Sequence, residues 1–335
     1  MSIKTITLSH GSGKGNKELL EEVIFPAFYP NSPGILEDAF IFDIPGRRFA
    51  FTTDSFVVTP LEFPGGDIGK LAACGTINDL AMMAAQPVML SVSLILEEGL
   101  DASFLTKMLK SLQAVCVSNN TKIACGDTKV VEKGNADGMF INTSGIGIVK
   151  VGVSLSVANA KIGDVVILSG GIGLHGITIL AQRKNLGFAS SAVSDCCSLF
   201  GVTNALLSAV PNTRAMRDAT RGGLAAILYE IAEASKTTIK IFEEAIPVPD
   251  VVRGACSFLG LDPLHIANEG RFVAIVPNEE KEKALAALRA HPDGKEACII
   301  GYVTQKEKFP VLLKTIVGGV RPVELPPGEL LPRIC

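Results

Sequence analysis

"GGDIGKLAACGTINDLAMMAA", residues 65–85, is a run of small and apolar residues with one acid near its start, Asp67, and one late, Asp79. Its periodicity is helical, and Ile68, Leu71, Ala72, Gly75, Asp79 and Met82 fall on one face. Asp79 therefore projects from an apolar stripe. A buried carboxylate without a partner costs several kcal/mol or gives up its charge. Either Asp79 escapes to solvent in the last turn, or it meets a metal ion or a cationic group.

Strand-like runs flank this helix, "DAFIFDI" and "RRFAFTTDSFVV" before it and "PVMLSVSLILE" after it. The helix "DASFLTKMLKSLQAVCVSNN" then leads to the strands "KIACGDTKVV" and "MFINTSGIGIVK". The second half reopens with "GDVVILSG". It then alternates helices ("RGGLAAILYEIAEAS", "NEEKEKALAALRA") with strands ("TIKIF", "RFVAIVP", "ACIIGYV", "PVLLKTI"). The result is an α/β (α+β) chain of two domains, residues 1–150 and 151–320. A tail, 321–335, follows, in which proline replaces apolar periodicity and nothing favours joining a sheet or core. At the other end the first fifteen or so residues read as a mobile loop, followed by a short helix "NKELLEEVIFPAF".

Bulk properties narrow the function. The 335 residues are 47% hydrophobic with a net charge of −3 and no Trp. That balance offers neither a field for nucleic acid nor a base-stacking platform. No segment reads as a membrane span or a secretory signal. The 8 cysteines form no C-x-x-C, which fits a reducing cytoplasm better than a zinc ribbon or a disulfide scaffold.

Asp79 has company. Asp38 starts a strand in "EDAFIF", Asp54 follows "FAFTT", Asp127 lies in "ACGDTK", and Asp218 opens "DATRGGL". Each alone reads equally as a turn residue or a helix cap. As a set, Asp38, Asp54, Asp79, Asp127 and Asp218 suit Mg²⁺, which prefers a few carboxylates plus substrate phosphates and so implies a nucleotide. "HGSGKG" (10–15) lacks the G-K-[ST] of a Walker A loop but can fold over phosphates. "RGGL" leads into a helix N-terminus suited to anions. "GIGLHG" (171–176) matches a dinucleotide fingerprint literally. Asp195 has the expected spacing, but "LGFASSAVSDCC" is no convincing second strand, and tight helix–strand packing explains the glycines otherwise. Lys129 shares a strand face with Asp127, and Glu269 precedes Gly270, which suggests a bulge aiming its carboxylate. His175 and His265 read as structural.

The chain ends in "ELPPGELLPRIC" (324–335). Its last thiol, Cys335, is either a frayed end or a chemical handle. Fifteen residues from Arg321 to Cys335, extended at about 3.1 Å each, reach roughly 45 Å.

Together, "HGSGKG", "TTDSFVV", "GGDIGKLAACGTINDLAMMAA", "ACGDTKVVEKG", "GDVVILSGGIGLHG", "DATRGGLA", "NEG" and "PRIC" resemble, in order, the HypE family of hydrogenase maturation factors. That family lies within the AIR synthase-like (PurM-like) superfamily. The acid-centred motifs are common to the superfamily, whereas the Pro-Arg-Ile-Cys end is more specific. The resemblance implies a homodimer paired through its N-terminal sheets, with ATP and Mg²⁺ in a cleft between domains. It implies ATP or phosphate contacts at Gly11, Gly13, Asp79, Asp127, Thr128, Gly222 and Gly223. It also implies a reaction: a carbamoyltransferase, HypF, loads Cys335, and ATP-dependent dehydration turns the S-carboxamide into an S-cyanide. The cyanide would pass to a HypC–HypD complex for the iron centre of [NiFe]-hydrogenase. Lys129 and Glu269 are then candidate bases, Lys129 alternatively an electrostatic clamp. Two other readings stand beside this one: an AIR synthase-like enzyme acting on a small molecule, and a non-catalytic thiol carrier or scaffold.

Overall fold

The computed structural model describes residues 7, 13–24, 37–184, 191–325, 328, 331 and 333–335. Strands β1 (Phe40–Ile44), β2 (Arg47–Phe56), β5 (Ala85–Glu97), β6 (Lys122–Val131) and β7 (Met139–Val149) form a sheet in the order β1-β2-β7-β5-β6. A two-stranded ribbon, β3 (Glu62–Phe63) with β4 (Gly66–Asp67), precedes the central helix α2 (Ile68–Met82). Alternation along β7 is strict: Met139, Ile141, Thr143, Gly145, Gly147 and Val149 face inward, and the residues between them face outward. On the inward face lie α2 and α3 (Ala102–Ser118).

Helix α2 begins where Asp67 caps it, accepting from the Lys70 amide at 2.9 Å. Thirteen of its 15 residues are buried, so the single apolar stripe expected from periodicity is too narrow. The helix is covered on all sides, by the sheet, by α3 and by the second half of the chain. Its small residues make this possible. A methyl group on Gly69 would lie 2.0 Å from the Met108 carbonyl oxygen, and one on Gly75 would lie 2.8 Å from the Phe56 ring.

The second half carries a seven-stranded sheet in the order β14-β13-β10-β12-β8-β11-β9. Its strands are β8 (Val165–Leu168), β9 (Ala215–Asp218), β10 (Thr238–Phe242), β11 (Phe272–Val276), β12 (Cys298–Thr304), β13 (Val311–Lys314) and β14 (Val320–Pro322). Helices α4 (Leu174–Lys184), α5 (Phe200–Ala209), α6 (Gly223–Ser235), α7 (Asp250–Leu259) and α8 (Lys281–Arg289) pack around it. β8 runs antiparallel to both neighbours, β11 and β12. A dinucleotide fingerprint needs a parallel β-α-β unit, so "GIGLHG" is not one. Its glycines serve packing: side chains on Gly173 and Gly176 would meet Val252 at 2.7 Å and Ile266 at 2.5 Å.

Both chain ends depart from expectation. At the start, α1 (Gly13–Leu19) continues as a π-helical turn, Leu20–Ile24, so helix begins inside "HGSGKG"; Lys17 ties it to Glu233 of α6 at 2.9 Å. In the tail, Val320–Pro322 adds an edge strand, where proline's missing N–H costs no ladder bond. Ile334 is 2% exposed within the core shared by α2, α3 and the first sheet. The expectation that residues past 320 join neither sheet nor core is corrected at both ends of the tail. Ile334, the Arg333 side chain paired with Asp137, and backbone hydrogen bonds together seat its end.

Candidate active site

Three acids from three elements converge. Asp38 precedes β1, Asp79 lies in the last turn of α2, and Asp218 ends β9; one carboxylate oxygen from each lies within 4.8 Å of the others. Asp54 of β2 is close enough to push the Asp79 and Asp218 carboxyls upward. Burial, reinforced by these like charges, holds Asp79 well above the usual carboxylate range; a hydrogen bond donated by the Thr52 hydroxyl, 2.7 Å away, only partly offsets this. Burial likewise raises Asp38 well above its ordinary value, against the opposing charge of Arg217, and raises Asp218 to about 6. Asp54 rises through burial, opposed by Arg221.

Arg217 lies 3.1 Å from Asp38 and 2.6 Å from Glu230. Two arginines, Arg217 beside Asp38 and Arg221 acting on Asp54, face four acids and leave the cluster short of positive charge, and the Asp38 Oδ2 atom accepts no hydrogen bond. The donors are hard oxygens with spare lone pairs, which fits a divalent cation such as Mg²⁺. Sequence reasoning missed Arg217 and Thr52. The one available signal was an arginine inside the short buried strand "AMRD".

Asp127, Thr128 and Lys129 do not join this group. They lie on β6, an edge strand exposed along nearly its whole length. Asp54 pairs with Thr143, Thr143 with Val92, and Val92 with Gly126, so these four share the inward face. Asp127, one residue on, points the other way, with Ser93 and Asn142. Lys129 donates to both Asp127 oxygens, at 2.8 and 2.7 Å, and this hydrogen bonding lowers the Asp127 pKa. Within one chain, the metal role expected of Asp127 and the base role expected of Lys129 are not met, because the alternation of β6 turns both away from the acids.

Glu269 is the opposite case. It is 3% exposed, and its Oε1 atom accepts no hydrogen bond. Burial, with Cys196 and Asp218 adding to it, pushes its carboxyl well above the usual range. It stands in the loop before β11, and no bulge aims it. Instead Asp195 accepts from the Glu269 amide at 3.1 Å, and Glu269 accepts from the Cys197 amide at 3.4 Å. Gly270 allows this approach, since any side chain there would lie 1.9 Å from the Asp195 carbonyl oxygen.

Among the phosphate candidates, Gly11 lies outside the described residues and Gly13 starts α1 at φ +60°. Gly222 caps α6 at φ +78°, and Gly223 packs within 2.7 Å of the Leu264 and Ile266 carbonyl oxygens, measured from an added Cβ. Cys335 is half-buried against a cluster that includes Phe56, Cys74, Cys196, Ala267 and Ile334. Cys196, a member of that cluster, also lies close enough to Glu269 to raise its carboxyl. No disulfide joins any of the 8 cysteines.

Comparison with known proteins identifies the family of both halves. The model of the AIR synthase related protein N-terminal domain matches residues 36–149, and that of the C-terminal domain matches 161–314. The carbamoyl dehydratase HypE of Rhodobacter capsulatus is 45% identical over 335 aligned residues, covering 98% of each chain. A chain in the crystal structure of a HypE–HypF complex is 45% identical, with a TM-score of 0.86, over 92% of this chain and 99% of that one. The crystal structure of a hydrogenase maturation protein HypE in complex with ATP is 43% identical, with a TM-score of 0.83, over 99% and 100% of the two chains.

Proposed function

We propose, for a chain that belongs to the AIR synthase related family and to its carbamoyl dehydratase branch, that it converts an S-carboxamide on its own Cys335 to an S-cyanide at the expense of ATP. The observation that carries this is the seat of Cys335, half-buried against a core that joins the first sheet and its helices to Cys196 and Ala267 of the second half, the latter two residues before the buried Glu269.

Hydroxide is too poor a leaving group to depart from a carboxamide in water. Attack by the carboxamide oxygen on the γ-phosphorus forms an O–P bond and releases ADP. The C–O bond then breaks with phosphate leaving, nitrogen loses two protons, and the C–N bond becomes triple. Asp38, Asp79 and Asp218, with Asp54 beside them, are the residues that would hold Mg²⁺. When bound, that ion neutralises phosphate charge. Glu269 takes a proton from nitrogen: its raised pKa makes the ionised carboxylate a stronger base, and its Oε1 has no competing protein donor.

Lys129 and Asp127 act from a second subunit. Their sheet face carries Ser93, Asn142 and Ser144, with Phe51 and Ile95 exposed at 42% each. Two copies paired through such faces would each offer the other a lysine. The carbamoyl donor is a HypF-type carbamoyltransferase and a HypC–HypD complex accepts the cyanide; 8 free cysteines support a reducing, cytoplasmic setting. No helix among the described residues is long and apolar enough to cross a membrane.

Intact-mass measurement of the carbamoylated protein tests the reading. MgATP should remove about one water mass (~18 Da) from the tail, and Cys335→Ala should show neither loading nor loss. ATP turnover with an unchanged tail mass would favour the carrier reading instead.

A further inference from the structure

The described end of the tail is held by its backbone and by the Arg333 side chain, which pairs with Asp137 and lies over the Phe140 ring. The Val57 amide donates to the Cys335 carbonyl oxygen at 3.0 Å, and Arg333 Nε donates to the Val57 carbonyl at 3.0 Å. Those contacts come from the first half of the chain. From the second half, helix α4 supplies two more donors. Arg183 donates to the Arg333 carbonyl and also to that of Thr59, and His175 Nε2 lies 2.7 Å from the Ile334 oxygen.

The histidine contact is chemically specific. A carbonyl only accepts, so Nε2 carries the hydrogen and Nδ1 is bare. The Ser194 hydroxyl, 2.8 Å from Nδ1, is therefore the donor to it. Ser194 is fixed in turn: its amide donates to the Pro64 carbonyl at 2.9 Å, and its oxygen accepts from the Cys196 amide at 3.1 Å. Phe63 meets the imidazole nearly edge-on, with 5.4 Å between centroids and 84° between planes. Burial lowers the His175 pKa, opposed by the carbonyl contact and Asp195 and aided by Arg183, which favours the neutral ring. The next two residues after Ser194 are Asp195, which holds the Glu269 amide, and Cys196, which packs in the cluster with Cys335.

We propose that His175, locked by Ser194, is a positioning residue that holds the Ile334 carbonyl and thereby sets where Cys335 lies relative to Glu269. This rests on the dehydratase reading, and it adds a tail-recognising residue to that site. The donor lies one peptide before the modified thiol, so it fixes the register of the tail without touching the carboxamide. Its loss would let the tail slide or withdraw while leaving the acid cluster intact.

The test uses full-length protein and three variants. His175→Phe keeps a ring against Phe63 without a donor, His175→Gln keeps an N–H where Nε2 stands, and Ser194→Ala removes the locking hydroxyl together with the acceptor of the Cys196 amide. Iodoacetamide labelling of Cys335, located by peptide mass mapping, reports seating without any catalysis. The Phe variant should label about tenfold faster and dehydrate the carbamoylated tail about tenfold more slowly at saturating MgATP (a change of about 1.4 kcal/mol). Loading with the carbamoyl group should proceed at the wild-type rate. The Gln variant should recover both measurements to within about threefold, and Ser194→Ala should shift both in the Phe direction by about threefold. If Phe labels and dehydrates like wild type, the proposal is wrong. Should Phe not fold, unchanged labelling and dehydration in Ser194→Ala overturn it equally. A wild-type carbamoylated protein that MgATP leaves unaltered would sink the dehydratase reading instead, and the labelling comparison would still stand.

Discussion

The two faces of the first sheet place similar residues in opposite physical circumstances. On the inward face, Asp54 meets Asp79, Asp38 and Asp218 out of water, and all four carboxyls are raised. On the outward face, Asp127 is paired with Lys129, both well exposed, and its pKa falls. Five acids at strand and helix ends look alike in sequence, yet only burial without a matching cation creates a demand for an added one. The acid cluster has that demand built in. The Asp127–Lys129 pair is already satisfied and needs a second molecule to give it a role.

The strongest way to break this contrast is to remove a charge from the inward set. Asp79→Asn should cut MgATP-dependent dehydration about a thousandfold by losing a metal ligand. The same change should raise the melting temperature of the ion-free protein by about 2–4 °C, because a buried carboxylate repelled by its neighbours has gone. A melting temperature that drops would mean the acids are already compensated. Next in size, Glu269→Gln should slow single-turnover dehydration about a hundredfold while leaving nucleotide affinity within about twofold.

Lys129→Ala should cost about tenfold, and its partner decides why. A randomly reassorted 1:1 mixture of the Lys129→Ala and Glu269→Gln chains should regain about a quarter of wild-type activity if each lysine serves the other subunit's site, since half of its dimers then carry one intact site of two. No recovery would return Lys129 to its own chain or to no role at all.

A smaller effect comes from titration. The folded-state pKa of Asp218, about 6, lies above its ordinary 3.8, so between those values the folded protein binds more protons than the unfolded chain. Stability of the ion-free protein from this group is fully present below about pH 4 and falls as pH rises through 6. On the proposed reading Mg²⁺ would bind the ionised form, so the melting-temperature gain from added Mg²⁺ should grow between pH 5 and 7.5. A gain that is flat with pH would separate the ion from these acids. Smallest of all, Asp127→Asn should move the melting temperature by less than about 1 °C, as expected for an exposed pair.

The fold was legible in the sequence wherever periodicity and small residues coincide. The sheet strands from "DAFIFDI" to "PVLLKTI" and the helices between them stand where their patterns place them. Asp38, Asp54, Asp79 and Asp218 were legible as a set because acids beside buried strands and helices are expensive anywhere else. The direction of Asp127 was not legible, because one residue of register along β6 turns a side chain to the other face. Nor was the tail's docking. It depends on Ile334, on the pairing of Arg333 with Asp137 and on backbone carbonyls, and neither a partner distant in the chain nor a backbone group shows in residue identity. His175 looked structural for a related reason: a neutral, buried imidazole is ordinary, and only the atom across from Nε2 gives it meaning.

Gly270 carries a consequence beyond its own loop. Hydrogen is the only substituent that fits between it and the Asp195 carbonyl. A methyl group there would act as a wedge, parting the strip that locks the histidine from the loop that carries the base. A single carbon atom, far smaller than any ligand, would then uncouple presentation of the thiol from the chemistry performed on it.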